Sequence, residues 1–254
     1  MIQVRGLEKS FGAQHVLRGI DVDFYVGQCN LIIGLSGSGK TVFLKSILGL
    51  HTLDEGHISF DGRILGDMGK KEIKALRQEM GMVFQGSALF NSLTIEENVR
   101  LPLDFFSDMT LEEKDQRVKF CLERVRIDPE AFQKTPAELS GGMQKRVAIA
   151  RAIVLNPKYL FCDEPNSGLD PETAIVIDLL IHEITHEFGM TTVINTHDMN
   201  SVLEIGDHVI LLEKGKKAWE GTMEEVLQSE DTAVVDYVFR SNLFKKVRAA
   251  LHKA

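Results

Sequence analysis

The clearest chemical signature in the sequence is a glycine-rich segment, Gly34-Leu35-Ser36-Gly37-Ser38-Gly39-Lys40-Thr41. Its glycines allow the backbone to curl, so that successive amide groups point inward at the oxygens of a phosphate group. In such a loop Lys40 reaches the outer phosphates and Thr41 binds a magnesium ion. A glycine-rich turn can also arise by chance, but here a strand pattern precedes the segment and a helical pattern follows it. The segment therefore predicts a binding site for the phosphates of a nucleotide.

A pair of neighbouring carboxylates is the second candidate for chemistry. Asp163 and Glu164 directly follow Tyr159-Leu160-Phe161-Cys162, a short apolar run that is typical of a buried strand. Asp163 can hold the shell of a magnesium ion through water, and Glu164 can polarise a water molecule aimed at the terminal phosphate. Alone, the pair is equally consistent with an ordinary acidic turn. Together with the glycine-rich segment, it predicts hydrolysis of a nucleotide.

Apolar runs that alternate with helical patterns must position these residues. The amino-terminal runs 2–7 and 19–26 alternate apolar with polar residues, which predicts half-exposed antiparallel strands. A helix is predicted over 171–188, where Ile175, Leu179 and His182 recur at near-helical spacing. Buried strands are predicted at 29–34, 81–84, 159–162, 191–195 and 208–212. The alternation predicts an α/β fold, with a largely parallel sheet and helices on both faces.

Between residues 87 and 156 the pattern changes to helices and loops. Helices are predicted to begin after Thr94 and Thr110, because each has a glutamate three residues later, as in a capping box. This segment predicts a helical lobe inserted into the sheet domain. The predicted divisions are a nucleotide-binding core with its β subdomain (1–86 and 157–225), the inserted lobe (87–156) and a helical tail (226–254).

The composition argues against two other classes of protein. With 29 Lys and Arg against 37 Asp and Glu, the 254-residue chain has a formal net charge of −8, which disfavours nucleic-acid binding. It has no secretory signal and no apolar run of about 18 residues that could span a bilayer. We therefore expect no nucleic-acid partner and a soluble chain on the cytoplasmic side. The cysteines are odd in number, and Cys29 and Cys162 lie in short apolar runs, so we expect small hydrophobes in preference to a metal or disulfide role.

A third segment, Leu139-Ser140-Gly141-Gly142-Met143, precedes the carboxylate pair and heads a predicted helix. Here the chain resembles the ATP-binding cassette family, whose signature loop has this Leu-Ser-Gly-Gly form. The resemblance implies an ATPase with ATP and Mg²⁺ as cofactors. It also implies a P-loop NTPase (RecA-like) core with an N-terminal antiparallel β subdomain and an inserted α-helical subdomain.

The other motifs of the family follow in the expected order, and the resemblance implies a role for each. Gln85 matches the glutamine that binds magnesium and senses the γ-phosphate, and His197 matches the histidine that hydrogen-bonds the γ-phosphate. Phe11 matches the aromatic residue that stacks on adenine. Without the resemblance, Gln85 and His197 could be ordinary polar residues of loops, and Phe11 could belong to the core.

The resemblance further implies that two copies work together. Ser140, Gly141 and Gly142 then close over the ATP held by the P-loop of a second copy, so the protein is expected to form a homodimer. Asp170 matches the family's D-loop, where the two copies meet, and is expected to couple the two sites. ATP drives closure of the pair because its γ-phosphate supplies contacts to both copies, and hydrolysis removes them.

A finer resemblance rests on the segments 86–94 and 164–171 and on Met143, where most cassettes have glutamine. These features are similar to the ATPase of the Mla phospholipid-transport systems, although Asn166 replaces the common threonine. That implies an integral-membrane permease and a mammalian-cell-entry-type lipid-binding protein as partners. It also implies a peripheral position on the inner face of the cytoplasmic membrane. Amino acids, metal ions or lipoproteins are the alternative cargoes.

Members of the family that do not transport are less consistent with this sequence. Cassettes of DNA-repair and chromosome-organising proteins insert long coiled coils, whereas only about a hundred residues separate Lys40 from Ser140 here. Translation-associated cassettes carry two copies in one chain. A soluble non-transport ATPase is therefore the weaker alternative.

Apolar residues recur at helical spacing from Thr232 to Ala254, in the predicted tail. We expect this tail to pack on its own domain, or to dock on the partner cassette or a small regulatory subunit.

Overall fold

The computed structural model describes residues 1–240, and its chain forms two compact units. Within the described residues, the first unit comprises Met1–Met68 and residues 194–240, and the second comprises Gly69–Val193. Residues 241–254, about half of the predicted helical tail (226–254), lie outside the described residues. The predicted division into core, inserted lobe and tail stays a prediction.

The secondary structure alternates as the sequence predicts. The strands are β1 (Ile2–Phe11), β2 (Gln14–Phe24), β3 (Cys29–Ile33), β4 (Glu55–Phe60), β5 (Arg63–Ile64), β6 (Met80–Val83), β7 (Tyr159–Asp163), β8 (Thr191–Asn195), β9 (His208–Glu213) and β10 (Lys216–Gly221). The helices are α1 (Lys40–Ile47), α2 (Lys70–Gln78), α3 (Ile95–Phe106), α4 (Leu111–Arg124), α5 (Gly141–Ile153), α6 (Pro171–Phe188), α7 (Met199–Ile205), α8 (Met223–Gln228) and α9 (Thr232–Val238). Short 3-10 turns lie at Leu65–Asp67, Pro129–Ala131 and Pro136–Glu138.

The first unit contains an antiparallel sheet in the order β2-β1-β4-β5. Its first two strands are longer than the alternating runs 2–7 and 19–26 predict. The reason is the tight turn at Gly12, whose φ of 59° belongs to the left-handed region that favours glycine. Pairing therefore continues to Phe11 opposite Gln14. In the same unit β3 runs parallel to β9, and β9 is antiparallel to β10.

The second unit combines parallel strands with the helical segment. β6 pairs in parallel with β7, with Met82 opposite Phe161, and α3 packs against α4 and α5. The predicted capping boxes are present: Thr94 Oγ1 accepts from Glu97 N at 3.2 Å, and Thr110 Oγ1 accepts from Glu113 N at 3.3 Å. The parallel strands, the antiparallel sheet and the helical insert confirm the predicted α/β P-loop NTPase fold.

Helix α6 has the predicted ends, but the sequence pattern did not reveal its buried face. Ile175 and Leu179 are 37% and 40% exposed. The buried apolar positions of the helix are instead Ala174, Ile177, Leu180, Ile181 and Ile184. Long apolar stretches make such a helix easy to recognise and its orientation hard to assign. Within residues 1–240, no helix has both the length and the hydropathy needed to cross a membrane.

All three cysteines are buried, as expected for small hydrophobes, and none of them forms a disulfide bond. Cys29 lies in β3 and Cys162 in β7, where both contribute to the apolar interior of their strands. Burial raises the pKa of the Cys121 thiol to about 11, and nearby Arg117 opposes this shift only in part. A neutral, inaccessible thiol serves as a small hydrophobe.

Candidate nucleotide site

In the first unit, the glycine-rich loop connects the end of β3 to the start of α1. Among the glycines of this loop, Gly34 lies closest to another backbone segment. A Cβ atom at this position would lie 2.3 Å from the Leu212 carbonyl oxygen. Gly39 has a φ of 106°, a conformation that L side chains rarely adopt. These two constraints explain why the loop needs glycine at both positions.

Lys40 is folded back onto this loop. Its Nζ donates to the Gly34 carbonyl at 2.8 Å and to the Leu35 carbonyl at 3.3 Å, and the residue is only 7% exposed. Thr41 lies exposed in the first turn of α1, and that turn carries no acidic residue. A glycine-rich loop, a lysine and a helix start without carboxylates together fit the phosphates of ATP.

His197 lies in the first unit on the short loop between β8 and α7. The preceding residue, Thr196, donates its backbone N–H to the Ile32 carbonyl of β3 at 3.1 Å. Asp198 donates its N–H to Thr196 Oγ1 at 3.0 Å and accepts from Asn200 N at 2.9 Å, which caps α7. These bonds hold the exposed His197 next to the strand that leads into the P-loop.

Phe11 lies at the tip of the β1–β2 hairpin and is 45% exposed. It makes an edge contact with His51, with ring centroids 5.2 Å apart. The Lys9 ammonium lies 5.3 Å from its centroid. A large aromatic ring left open at a hairpin tip fits a stacking role better than a core role, so the alternative that Phe11 belongs to the core is not supported.

In the second unit, the carboxylate pair lies at the carboxyl end of β7. Asp163 is the last residue of the strand, and Glu164 follows with a φ of 47°. A non-glycine residue in this left-handed region is strained, and such strain concentrates at functional sites. Gln85 Nε2 donates to Glu164 Oε2 at 3.2 Å and to Ser167 Oγ at 3.2 Å. The structure therefore brings Gln85 and Glu164 together.

Two cations of helix α5 hold the segment around Gln85 in place, and sequence reasoning missed both. Lys145 Nζ donates to the Gln85 carbonyl. Arg151 donates to the Ala88 carbonyl at 2.7 Å and to the Ser87 carbonyl at 2.8 Å. Burial lowers the pKa of Lys145 and of Arg151. The available signal was the placement of both cations among buried apolar positions of a predicted helix.

The signature loop forms the start of α5. Ser140 caps the helix, accepting from Met143 N at 3.3 Å, and Ser140 and Gly141 are exposed. Gly142 is packed so tightly that a Cβ atom would lie 2.5 Å from Thr173 Cγ2. The loop therefore rests against the first turn of α6 with its serine turned to the surface.

Asp170 caps that first turn of α6. It accepts from Thr173 Oγ1 at 2.6 Å and from Thr173 N at 3.0 Å. These hydrogen bonds lower the pKa of Asp170. Its position between the signature loop and α6 gives the residue a local structural task in addition to the expected coupling of two copies.

Asn166, the residue that departs from the common threonine, uses its side chain inside the second unit. Its Nδ2 donates to Asp178 Oδ2 at 3.0 Å, and the two residues are 8% and 2% exposed. A buried carboxylate requires such donors. The departure from the family pattern therefore has a structural explanation.

Comparison with known proteins is consistent with this geometry. Residues 17–167 match the family model described as ABC transporter. The methionine import ATP-binding protein MetN of Clostridium tetani is 39% identical over 228 residues, which cover 89% of this chain and 70% of that protein.

Two solved structures extend the comparison to the fold. A dimeric ATP-binding cassette in a post-hydrolysis state, bound to ADP and Pi, matches with a TM-score of 0.78 and 33% identity, covering 88% of this chain and 99% of the other. CbiO1 of Clostridium perfringens, part of the ABC transporter complex cbiONQ, matches with a TM-score of 0.84 and 30% identity over 99% and 98% of the two chains. This chain is therefore a member of the ABC transporter family, an ATP-binding cassette that hydrolyses ATP.

Proposed function

We propose that this chain works as a homodimer that energises phospholipid transport between membranes through an integral-membrane permease. The observation that best supports a dimer is the exposure of the signature loop: Ser140, which caps α5, is exposed to solvent. The cassette bound to ADP and Pi, which this chain resembles, is itself dimeric.

The proposed chemical roles are those that the resemblance implies for each residue. Lys40 binds the outer phosphates of ATP and Thr41 binds Mg²⁺, for which a hydroxyl is a suitable hard ligand. Asp163 holds the magnesium shell, and Gln85 contacts the metal and the γ-phosphate. Glu164 polarises the attacking water, because a carboxylate can act as the general base that accepts a proton from water.

The remaining proposed contacts with ATP come from residues of the first unit. His197 hydrogen-bonds the γ-phosphate as it develops charge. Phe11 stacks on adenine. The backbone amides of the P-loop, from Gly34 to Lys40, surround the phosphates. A bound magnesium ion would neutralise negative charge on the phosphates of ATP.

Mixing two inactive variants tests whether the site is built from two copies. Ser140→Arg blocks the signature loop, and Lys40→Ala disables the P-loop. A mixed dimer retains one site with an intact P-loop from one copy and an intact signature loop from the other, so the mixture is expected to regain ATPase activity that neither variant has alone. Hydrolysis by Ser140→Arg itself, or by a dilute monomer, would contradict the shared site.

The proposed phospholipid cargo is supported by the resemblance at Met143 and in the segments 86–94 and 164–171. Amino-acid import is the second candidate, because a relative with 39% identity is a methionine import protein. The proposed partners are a permease and a mammalian-cell-entry-type lipid-binding protein, on the inner face of the cytoplasmic membrane. CbiO1 is likewise part of a transporter complex.

Purification of the tagged chain from detergent-solubilised native membranes separates these candidates. Mass spectrometry would identify the co-purifying proteins and any bound lipid. A permease together with a mammalian-cell-entry protein and phospholipid would support the lipid cargo. A permease with an amino-acid-binding protein would replace it, and the absence of any membrane protein would contradict the transport role.

A further inference from the structure

Helix α9, near the end of the described chain, contacts the P-loop within the first unit. Tyr237 donates its hydroxyl hydrogen to the Gly34 carbonyl oxygen at 3.2 Å. A cavity of about 610 Å³ lies beside this contact, lined by P-loop residues, by the end of β9 and by α9. The site residues predicted from the sequence do not include Tyr237.

The Gly34 carbonyl accepts two hydrogen bonds in this structure. One comes from Tyr237 and the other from Lys40 Nζ at 2.8 Å. Gly34 is buried, and a buried carbonyl left without a donor is costly. If Lys40 turns to the phosphates of ATP, as the proposed function requires, Gly34 loses one of these two donors.

A second contact fixes the other part of the loop without using a side chain. The Ser38 carbonyl accepts from Gly215 N at 3.0 Å, and the Gly215 carbonyl accepts from Arg18 N at 2.9 Å. This backbone link does not depend on Lys40 and remains when the lysine moves. Among the described contacts, Tyr237 is therefore the side chain that can keep the Gly34 end of the loop in place.

We propose that Tyr237 is a positioning residue for ATP binding, which satisfies the Gly34 carbonyl when Lys40 releases it to bind phosphate. Tyr237 acts through Gly34 and does not itself touch the nucleotide. The inference rests on the proposed role of Lys40. Helix α9, which carries Tyr237, thereby connects the carboxyl-terminal part of the described chain to ATP binding by the P-loop.

Tyr237→Phe tests this role because it removes the hydroxyl group and keeps the ring. We expect the Kd and KM for ATP to rise about threefold to tenfold, the effect of one hydrogen bond. The kcat at saturating ATP should stay unchanged, because Gln85 and Glu164 are untouched. Tyr25→Phe is the matched control: Tyr25 is 41% exposed and packs on His208. A wild-type Kd for Tyr237→Phe, or an equal rise in the control, would overturn the proposal.

A double-mutant cycle supplies a readout that does not need activity. In the nucleotide-free protein, Tyr237→Phe alone should change the unfolding midpoint little, because Lys40 still satisfies Gly34. In the Lys40→Ala background the same change should lower the midpoint clearly, since Gly34 then loses both donors. Equal effects in the two backgrounds would overturn the proposal. Normal ATP binding by Lys40→Ala would instead contradict the proposed P-loop role itself.

Discussion

The side-chain amide of Gln85 donates a hydrogen bond to the carboxylate of Glu164, with 3.2 Å between Nε2 and Oε2. The two residues are 79 positions apart in the sequence. Gln85 follows β6 and Glu164 follows β7, and these strands pair in parallel, so their carboxyl ends lie at the same edge. The contact joins the residue proposed to sense the γ-phosphate to the residue proposed to activate water.

Glu164→Gln should preserve ATP binding and slow hydrolysis by about a hundredfold or more, because the carboxylate that polarises water is lost. The neutral amide keeps the size of the side chain, and the phosphate loop is unchanged. The variant is expected to accumulate as an ATP-bound dimer. Equilibrium binding, single-turnover hydrolysis and size-exclusion chromatography with ATP measure the three effects. Rapid turnover by this variant would contradict the assigned base.

Lys40→Ala should act on binding instead of on chemistry. The loss of a charged donor to the outer phosphates should weaken ATP affinity about tenfold or more. Titration of each variant with a fluorescent ATP analogue measures the effect, and Glu164→Gln is the control that retains the loop. An unchanged affinity would count against the P-loop assignment.

Lys145→Met should lower kcat about tenfold or more while ATP affinity stays near that of the wild type. Methionine fills a similar volume but cannot donate to the Gln85 carbonyl. The segment around Gln85 then keeps only its hydrogen bonds to Arg151 among the two described cationic links to α5. Steady-state kinetics and ATP binding measure the two parameters. Lys119→Met is the matched control, because the Lys119 side chain is 64% exposed and its only described ion pair is with Glu123 at 3.9 Å. Equal kcat values for both variants would contradict the positioning role of Lys145.

Asn166→Leu should destabilise the fold by about 1–3 kcal/mol, because it removes a donor from the buried Asp178 carboxylate. Asn166→Thr, which restores the residue common in the family and keeps a hydroxyl donor, should cost less. Asn91→Leu at an exposed position is the control. Chemical denaturation measures the free energy of unfolding. A loss no larger than that of the control would show that the Asn166–Asp178 contact contributes little.

The cysteines should resist thiol reagents in the folded protein at pH 8. With the pKa of Cys121 at about 11, only about one thousandth of this thiol is ionised at that pH, and the thiolate is the reactive form. Denaturant should expose all three thiols to labelling. Mass spectrometry after timed labelling counts the modified cysteines. Fast labelling of the native chain would contradict the burial of these side chains.

Local sequence determined the chemistry of this protein. The P-loop, the carboxylate pair and the signature loop each consist of neighbouring residues, whose backbone geometry follows from glycine content and from the flanking strand and helix patterns. The capping boxes at Thr94 and Thr110 were predictable for the same reason, since they join residues three positions apart.

Only the tertiary structure decided which distant residues support that chemistry. Lys145 reaches Gln85 across 60 positions, and Tyr237 reaches Gly34 across 203. Side-chain direction and burial, which depend on how the strands and helices pack, select these partners, and residue type alone does not reveal them. The same holds for the buried face of α6, because apolar residues occur on several sides of that helix and packing chooses among them.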